Sequence, residues 1–308
     1  MTAAPETFWA AARDIVAECH AVLRPGGGAV WITKRYVKDG KIVDFSADWA
    51  RLCQSQGFTL TRWARASLVK RWTDNTFDGP QEREKARKSF FRRLAERKGS
   101  PRIDWEDVLF LVKQGGAGQV DAVVGSPPFH GILPQHDKDF APPHDSTGYQ
   151  QAKAEGYGIS AGQLAAMSPG ASPLPQGERP PCAEEVWNGC HNGSWRGLIV
   201  DEAFSHPAKA ARGLLKRIFD ELFKTGALYK GDLVLDPFAG IGTTGLAAAA
   251  RGCRFIGVEL EPRFVALAAR NFALHEQGFK TMGYPLPTIV QGDSRRLREV
   301  LYSRTTTA

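Results

Sequence analysis

The sequence predicts an α/β protein built on a doubly wound sheet, and three segments carry that prediction. In the first, an apolar strand over residues 233–235 runs through a glycine turn into a small-residue helix, and a second apolar strand over 255–258 ends in Glu259-Leu260. Strand, glycine turn, helix and acid-tipped strand make a mononucleotide-binding half of such a sheet. In the second, an apolar strand opening at Asp121 and including Val123 and Val124 is closed by Gly125-Ser126-Pro127-Pro128-Phe129. In the third, a helix-like stretch leads through Arg24-Pro25-Gly26-Gly27-Gly28 into an apolar strand over 29–33. Residues 58–69 and 103–112 read as closing antiparallel strands, and 289–293 as a strand ending in Asp293.

The turn between the first two strands reads Asp236-Pro237-Phe238-Ala239-Gly240-Ile241-Gly242-Thr243-Thr244. Gly240 and Gly242 let backbone approach a ligand where a Cβ would collide. Glu259, at the tip of the second strand, can accept both ribose hydroxyl protons, so an adenosine-containing cofactor is expected. The glycines also satisfy a dinucleotide fingerprint, which keeps a nicotinamide oxidoreductase as a rival reading. Asp236 argues against it, since a carboxylate suits an ammonium group and repels phosphates.

The segment Ser126 to Phe129 has the properties needed to hold an exocyclic amine. Two prolines stiffen the chain and remove two backbone donors, leaving their carbonyls as acceptors. Ser126 adds a hydroxyl, and Phe129 a flat face for a ring.

Together these segments resemble the motifs of DNA amino-methyltransferases of the phage type. Asp236 to Thr244 resembles their cofactor motif, and Ser126-Pro127-Pro128-Phe129 the Ser-Pro-Pro-Tyr/Phe catalytic motif of N4-cytosine and N6-adenine enzymes. Phe204-Ser205-His206-Pro207 resembles a motif that opens a helix over the cofactor, with Pro207 suited to a first helical position. The Pro-Gly-Gly turn resembles the one before the fifth methyltransferase strand. The resemblance implies a Rossmann-like sheet in the order 3-2-1-4-5-7-6, with strand 7 antiparallel. It also implies S-adenosylmethionine held by Asp236, Phe238, Gly240, Gly242, Thr243, Thr244, Glu259, Leu260, Asp293 and His206. Ser126, Pro127, Pro128 and Phe129 become the catalytic residues, acting on a base flipped out of double-stranded DNA. Serine before the prolines leans towards N4 of cytosine, with N6 of adenine next. A DNA-binding remnant without turnover is the second rival.

Composition is compatible with this. The 308 residues carry a net charge of +7, which suits a polyanionic partner. Arg87, Lys88, Arg92, Arg93, Arg97 and Lys98 surround Phe90 and Phe91, as phosphate contacts or as a solvated amphipathic helix face. The five cysteines lack paired spacing, as in a reducing compartment, and Cys190-His191 lacks companions for a metal. Pro181-Cys182 has no strand before it to aim a nucleophilic thiolate. No apolar run approaches membrane-spanning length and no signal-peptide layout is present, so a cytoplasmic protein is expected.

Three regions are expected: 1–129 with the second half of the sheet and the catalytic strand, a turn-rich insert over 130–200, and a cofactor half over 201–308. The insert is rich in Pro, Gly, Ser, Gln and Asp and cannot build its own core. Within it, Tyr157-Gly158 and Gly162-Gln163-Leu164 resemble a stretch after the Ser-Pro-Pro motif of some phage-type enzymes, which implies base recognition. The chain order departs from the family. The Pro-Gly-Gly strand and closing hairpin come before the catalytic strand, and the cofactor strands come last. This implies a circular permutation cut between the fourth and fifth strands, or else a rearranged reading frame closed by swapping between chains. In one sheet, Val123 and Val124 should pair with both 29–33 and 233–235. The linker 114–119 would cross two strand spacings, about 10 Å, with a reach on the order of 20 Å.

Overall fold

Alternation along the strands sets the architecture. In β1 (Leu23–Thr33), Val30 and Ile32 are buried against one layer, and Ala29 and Trp31 against the other. A strand apolar on both faces belongs inside a sheet covered on both sides. The computed structural model describes residues 7–38, 40–76, 79–86, 99, 101–128, 184–205 and 209–302. Among them, α1 (Phe8–Val22) precedes β1; β2 (Tyr36–Lys38), β3 (Lys41–Val43), α2 (Phe45–Ser55), β4 (Phe58–Ser67), β5 (Val69–Thr76), β6 (Gly79–Ala86), β7 (Trp105–Lys113) and β8 (Val120–Gly125) follow it. Then come β9 (Glu184–Trp187), α3 (Arg212–Lys224), β10 (Leu233–Asp236), α4 (Thr243–Ala249), β11 (Arg254–Glu259), α5 (Pro262–Ala273), α6 (Glu276–Thr281), β12 (Thr288–Gln291) and α7 (Leu297–Tyr302).

The large sheet runs β12-β11-β10-β8-β1-β7-β4-β9. Its first seven strands follow the expected 3-2-1-4-5-7-6, with β7 antiparallel to both β1 and β4. Val123 pairs with both Ala29 and Leu235, as expected, whereas Val124 pairs with Val30 and not with β10; β8 thus lies between the two halves of one sheet. One face is covered by α3, α4 and α5 through Leu214, Ile218, Leu246 and Phe272, and the other by α1, α2 and α7 through Phe8, Ile15, Trp49 and Leu297. On α3, buried Leu214, Leu215, Ile218, Phe219 and Leu222 recur at helical spacing and form the stripe that packs on the sheet.

The connection from β7 to β8, residues 114–119, passes the end of β1 and is stapled by a buried lysine. Lys113 Nζ donates to the carbonyls of His20 (2.6 Å), Leu23 (2.7 Å) and Ala117 (2.8 Å), which joins the end of α1, the start of β1 and the linker. At Gly118 the crossing is so close that a Cβ would stand 2.0 Å from the Leu23 carbonyl oxygen. Asp121 ties the next strand on both sides, accepting from Arg24 Nε and from the backbone N–H of Leu233, each at 2.7 Å.

Several expectations need correction. The strand expected over 58–69 divides at Leu68, and β5 turns away to pair with β6 in a separate hairpin. Arg87, Lys88, Arg92, Arg93, Arg97 and Lys98, which follow β6, lie outside the described residues. His206 and Pro207, where a helix is expected to open, lie outside the described residues; the next described helix, α3, begins at Arg212 after an extended Ala211, and the Ala210 carbonyl accepts from Trp195 Nε1 at 2.9 Å. The insert lends the sheet an unexpected eighth strand, β9, whose Trp187 is buried against Phe110. Among the described residues, no helix is long and apolar enough to cross a membrane.

Candidate active site

The strand tips open onto one cleft. The sequence-predicted residues Ser126, Pro128, Asp236, Phe238, Gly240, Thr243, Thr244, Glu259, Leu260 and Asp293 all line it. Pro127 is buried between its two cleft-lining neighbours. Phe129 and His206 lie outside the described residues. The arrangement follows from the sheet: β8, β10, β11 and β12 are parallel, so residues just past their ends share one edge.

Asp236 is 2 % exposed. Burial pushes its carboxyl up to about 7, opposed by hydrogen bonds from the Thr244 side chain and the Phe238 N–H, with Glu259 adding repulsion. The Phe238 N–H lies 2.9 Å from Oδ1. Burial also raises Glu259, whose Oε2 accepts from the Gly240 N–H (2.8 Å) and Oε1 from the Glu261 N–H (2.9 Å). These bonds aim the carboxylate, and each oxygen keeps a second lone pair for a ligand hydroxyl. The buried Asp236 and the half-buried Glu259 face one cleft, which Lys209 also lines.

Gly242 is left-handed (φ 80°) before α4, and a Cβ there would stand 2.6 Å from the Phe272 ring, so its missing side chain admits α5 to the turn.

Asp293 is held by a neighbour the sequence reading missed. Arg295 donates its backbone N–H to Oδ1 (3.0 Å) and its Nε to both carboxylate oxygens (2.9 Å). Burial raises the Asp293 carboxyl, but the Arg295 contacts outweigh it and hold it below the usual range. The adjacent Ser294 hydroxyl donates to the Pro237 carbonyl at 2.6 Å, tying the third strand tip to the first. Asn271 was missed too. It is fully buried on α5, donates Nδ2 to the Ile241 carbonyl in the glycine turn (2.9 Å) and accepts from the Val200 N–H (2.8 Å). A lone amide on the apolar stripe of a helix was its readable signal. Ile15 of α1 also lines the cleft, which sequence spacing could not indicate.

Just past the end of β8, Ser126 Oγ donates to the Ile32 carbonyl at 3.1 Å. A hydroxyl has one proton and two lone pairs. With the proton committed to β1, Ser126 faces the cleft as an acceptor. The arrangement can hold a cation between carboxylates and, beside it, a group that donates protons.

Among known proteins, the chain is 40% identical over 73 residues to the DNA adenine methyltransferase YhdJ of Escherichia coli (strain K12), covering 24% of this chain and 23% of the relative. It is 35% identical over 89 residues to the type II methyltransferase M2.MboI of Moraxella bovis, 29% of each chain. The matched stretch thus spans under a third of either relative's length. The solved structure of TTHA0409 from Thermus thermophilus, complexed with S-adenosyl-L-methionine, superposes with a TM-score of 0.43 at 18% identity, covering 90% of this chain and 79% of that one. Residues 2–270 match the family model for the N6_N4_Mtase DNA methylases, and the chain belongs to that family.

Proposed function

We propose that the chain is an S-adenosylmethionine-dependent DNA methyltransferase that acts on the exocyclic amine of a flipped base, N4 of cytosine first and N6 of adenine second. The observation that carries the reading is Ser126, its hydroxyl proton spent on Ile32, facing the same cleft as Asp236 and Glu259.

The residues fit the cofactor. Asp236 stands where an ammonium would relieve a buried carboxylate, Glu259 where ribose hydroxyls find two aimed acceptors, and Asp293 at the adenine edge. When bound there, S-adenosylmethionine supplies an electrophilic methyl group on positively charged sulfur. Ser126 and the Pro127 carbonyl hold the two amino protons out of the ring plane, localising the nitrogen lone pair, while Phe129 stacks on the base. Catalysis is then mostly positioning, worth about 7 to 11 kcal/mol of barrier. Double-stranded DNA is the substrate, with Arg87, Lys88, Arg92, Arg93, Arg97 and Lys98 as phosphate contacts and the 130–200 insert as base reader. His206 lies over the cofactor. The strand order is read as a circular permutation of the family order, in a cytoplasmic protein.

The test is incubation with DNA and labelled S-adenosylmethionine, followed by nucleoside mass spectrometry. N4-methylcytosine or N6-methyladenine is expected, with Ser126→Ala and Phe129→Ala sharply slower at unchanged cofactor affinity. A 5-methylcytosine product, or either variant at the wild-type rate, refutes the reading.

A further inference from the structure

Asp107 of β7 is fully buried, opposite Thr33 in the β1–β7 register. A carboxylate so far from water costs several kcal/mol unless its lone pairs are used. Here they are: Trp63 Nε1 donates to Oδ1 (2.7 Å), and Ser46 Oγ (2.8 Å) and Arg35 Nε (3.3 Å) donate to Oδ2. Ser46 in turn accepts from Thr33 Oγ1 at 2.9 Å. The hydroxyl protons therefore point one way, from Thr33 to Ser46 to Asp107, and the charge at the end fixes both rotors.

Thr33 shares a planar peptide unit with the Ile32 carbonyl. Pinning Thr33 sets the direction of that oxygen, which is the acceptor for Ser126 Oγ. Ser126 lies just past Gly125, whose pairing with Trp31 is the last between β8 and β1. The Ile32 carbonyl thus orients a side chain at the end of the ladder. Replacing a buried charge network with well-packed apolar groups is often neutral or stabilising, so core packing alone does not account for this one.

We infer that Asp107 is a positioning residue for Ser126, acting through Ser46 and Thr33 on the Ile32 carbonyl; this rests on the methyl-transfer reading above.

The relay branches at the carboxylate, which allows a controlled test on the full chain. Ser46→Ala and the near-isosteric Thr33→Val cut the branch towards Ser126; Trp63→Phe cuts the other. Single-turnover transfer from labelled S-adenosylmethionine to DNA should fall about tenfold or more in the first two, with cofactor affinity unchanged. Trp63→Phe should lower the melting temperature and leave the rate intact. Unchanged rates in Ser46→Ala and Thr33→Val overturn the inference, as does an equal loss in Trp63→Phe. If the wild-type chain does not methylate DNA, the functional reading fails, and a crystal structure of Ser46→Ala decides the relay by itself. Ser126 Oγ leaving the Ile32 carbonyl supports it, and the 3.1 Å contact retained overturns it.

Discussion

Gly125 of β8 lies against the Asp236 carboxylate of β10: a Cβ on Gly125 would stand 3.0 Å from Oδ1, 3.2 Å from the Trp31 ring and 3.3 Å from Pro237 Cδ. The proposed base acceptor, Ser126, thus follows directly on the residue that packs against the proposed cofactor carboxylate, Asp236. Gly125→Ala should crowd this junction, destabilising the protein by about 1 to 3 kcal/mol and weakening cofactor binding together with transfer. Thermal melting and calorimetry read both. A variant with wild-type stability and affinity would mean that the junction yields freely.

Glu259 holds the Gly240 and Glu261 N–H groups and is the proposed acceptor for the ribose hydroxyls. Glu259→Ala should cost on the order of 1.5 to 3 kcal/mol of cofactor affinity. Glu259→Gln keeps an acceptor but brings an amide to a place where two backbone donors converge, so it should also bind more weakly. An unchanged dissociation constant in Glu259→Ala removes the residue from the site.

Cofactor affinity should depend on pH through Asp236, whose carboxyl is raised to about 7 by burial. An ammonium binds the ionised form. Below that value the site must lose a proton first, so affinity falls by up to tenfold per pH unit as pH drops. Above it, affinity levels off. Asp236→Asn should bind weakly at every pH and flatten the profile. Titrating by calorimetry from about pH 5.5 to 8.5, a range set about that value, checks this; a flat wild-type profile refutes it.

What the sequence made legible was local. The strand-turn-helix around Asp236, the acids at the tips of β11 and beyond β12, and Ser126 past β8 are set by short-range pattern, and the parallel sheet brings them to one cleft. What escaped was long-range. The insert, read as a turn-rich linker, supplies the edge strand β9, which only its pairing with the distant β4 reveals. Glycine at 242 signalled a close approach, but only the packing shows that Phe272 is what approaches. The dinucleotide alternative arose because the glycine pattern serves two ligands; family membership resolves it.

Lys113 should be essential to the short crossing between β7 and β8. Lys113→Met fills the space but leaves the His20, Leu23 and Ala117 carbonyls without their shared donor. Of these only Leu23 is buried, His20 being half-buried and Ala117 exposed, so one carbonyl bears the full cost of an unsatisfied acceptor, about 1 to 3 kcal/mol, partly offset because a buried charge is removed. A net loss of about 1 to 2 kcal/mol in denaturant unfolding is expected. Loss within about 0.5 kcal/mol, the range of ordinary surface substitutions, would show that the crossing holds without the staple.

Asn271 gives the sharpest separation of fold from site. Its amide joins the glycine turn at Ile241 to the segment at Val200 that leads towards the cleft residues Lys209 and Ala210. Both contacts are backbone groups outside α5, and neither needs the amide to touch a ligand. Asn271→Leu keeps the volume and the apolar stripe of α5 while stranding one carbonyl and one N–H. Each stranded group costs about 1 to 3 kcal/mol, so the variant should melt earlier. It should also bind cofactor more weakly, because the turn that carries Gly240 loses its anchor to α5. Asn271→Asp separates the two contacts. It keeps an acceptor for the Val200 N–H and turns an oxygen towards the Ile241 carbonyl, where two acceptors repel. If the turn contact governs the site, Asp and Leu should weaken cofactor binding alike while Asp retains more of the stability. Equal stability loss with undiminished affinity in both variants would make Asn271 a packing residue alone.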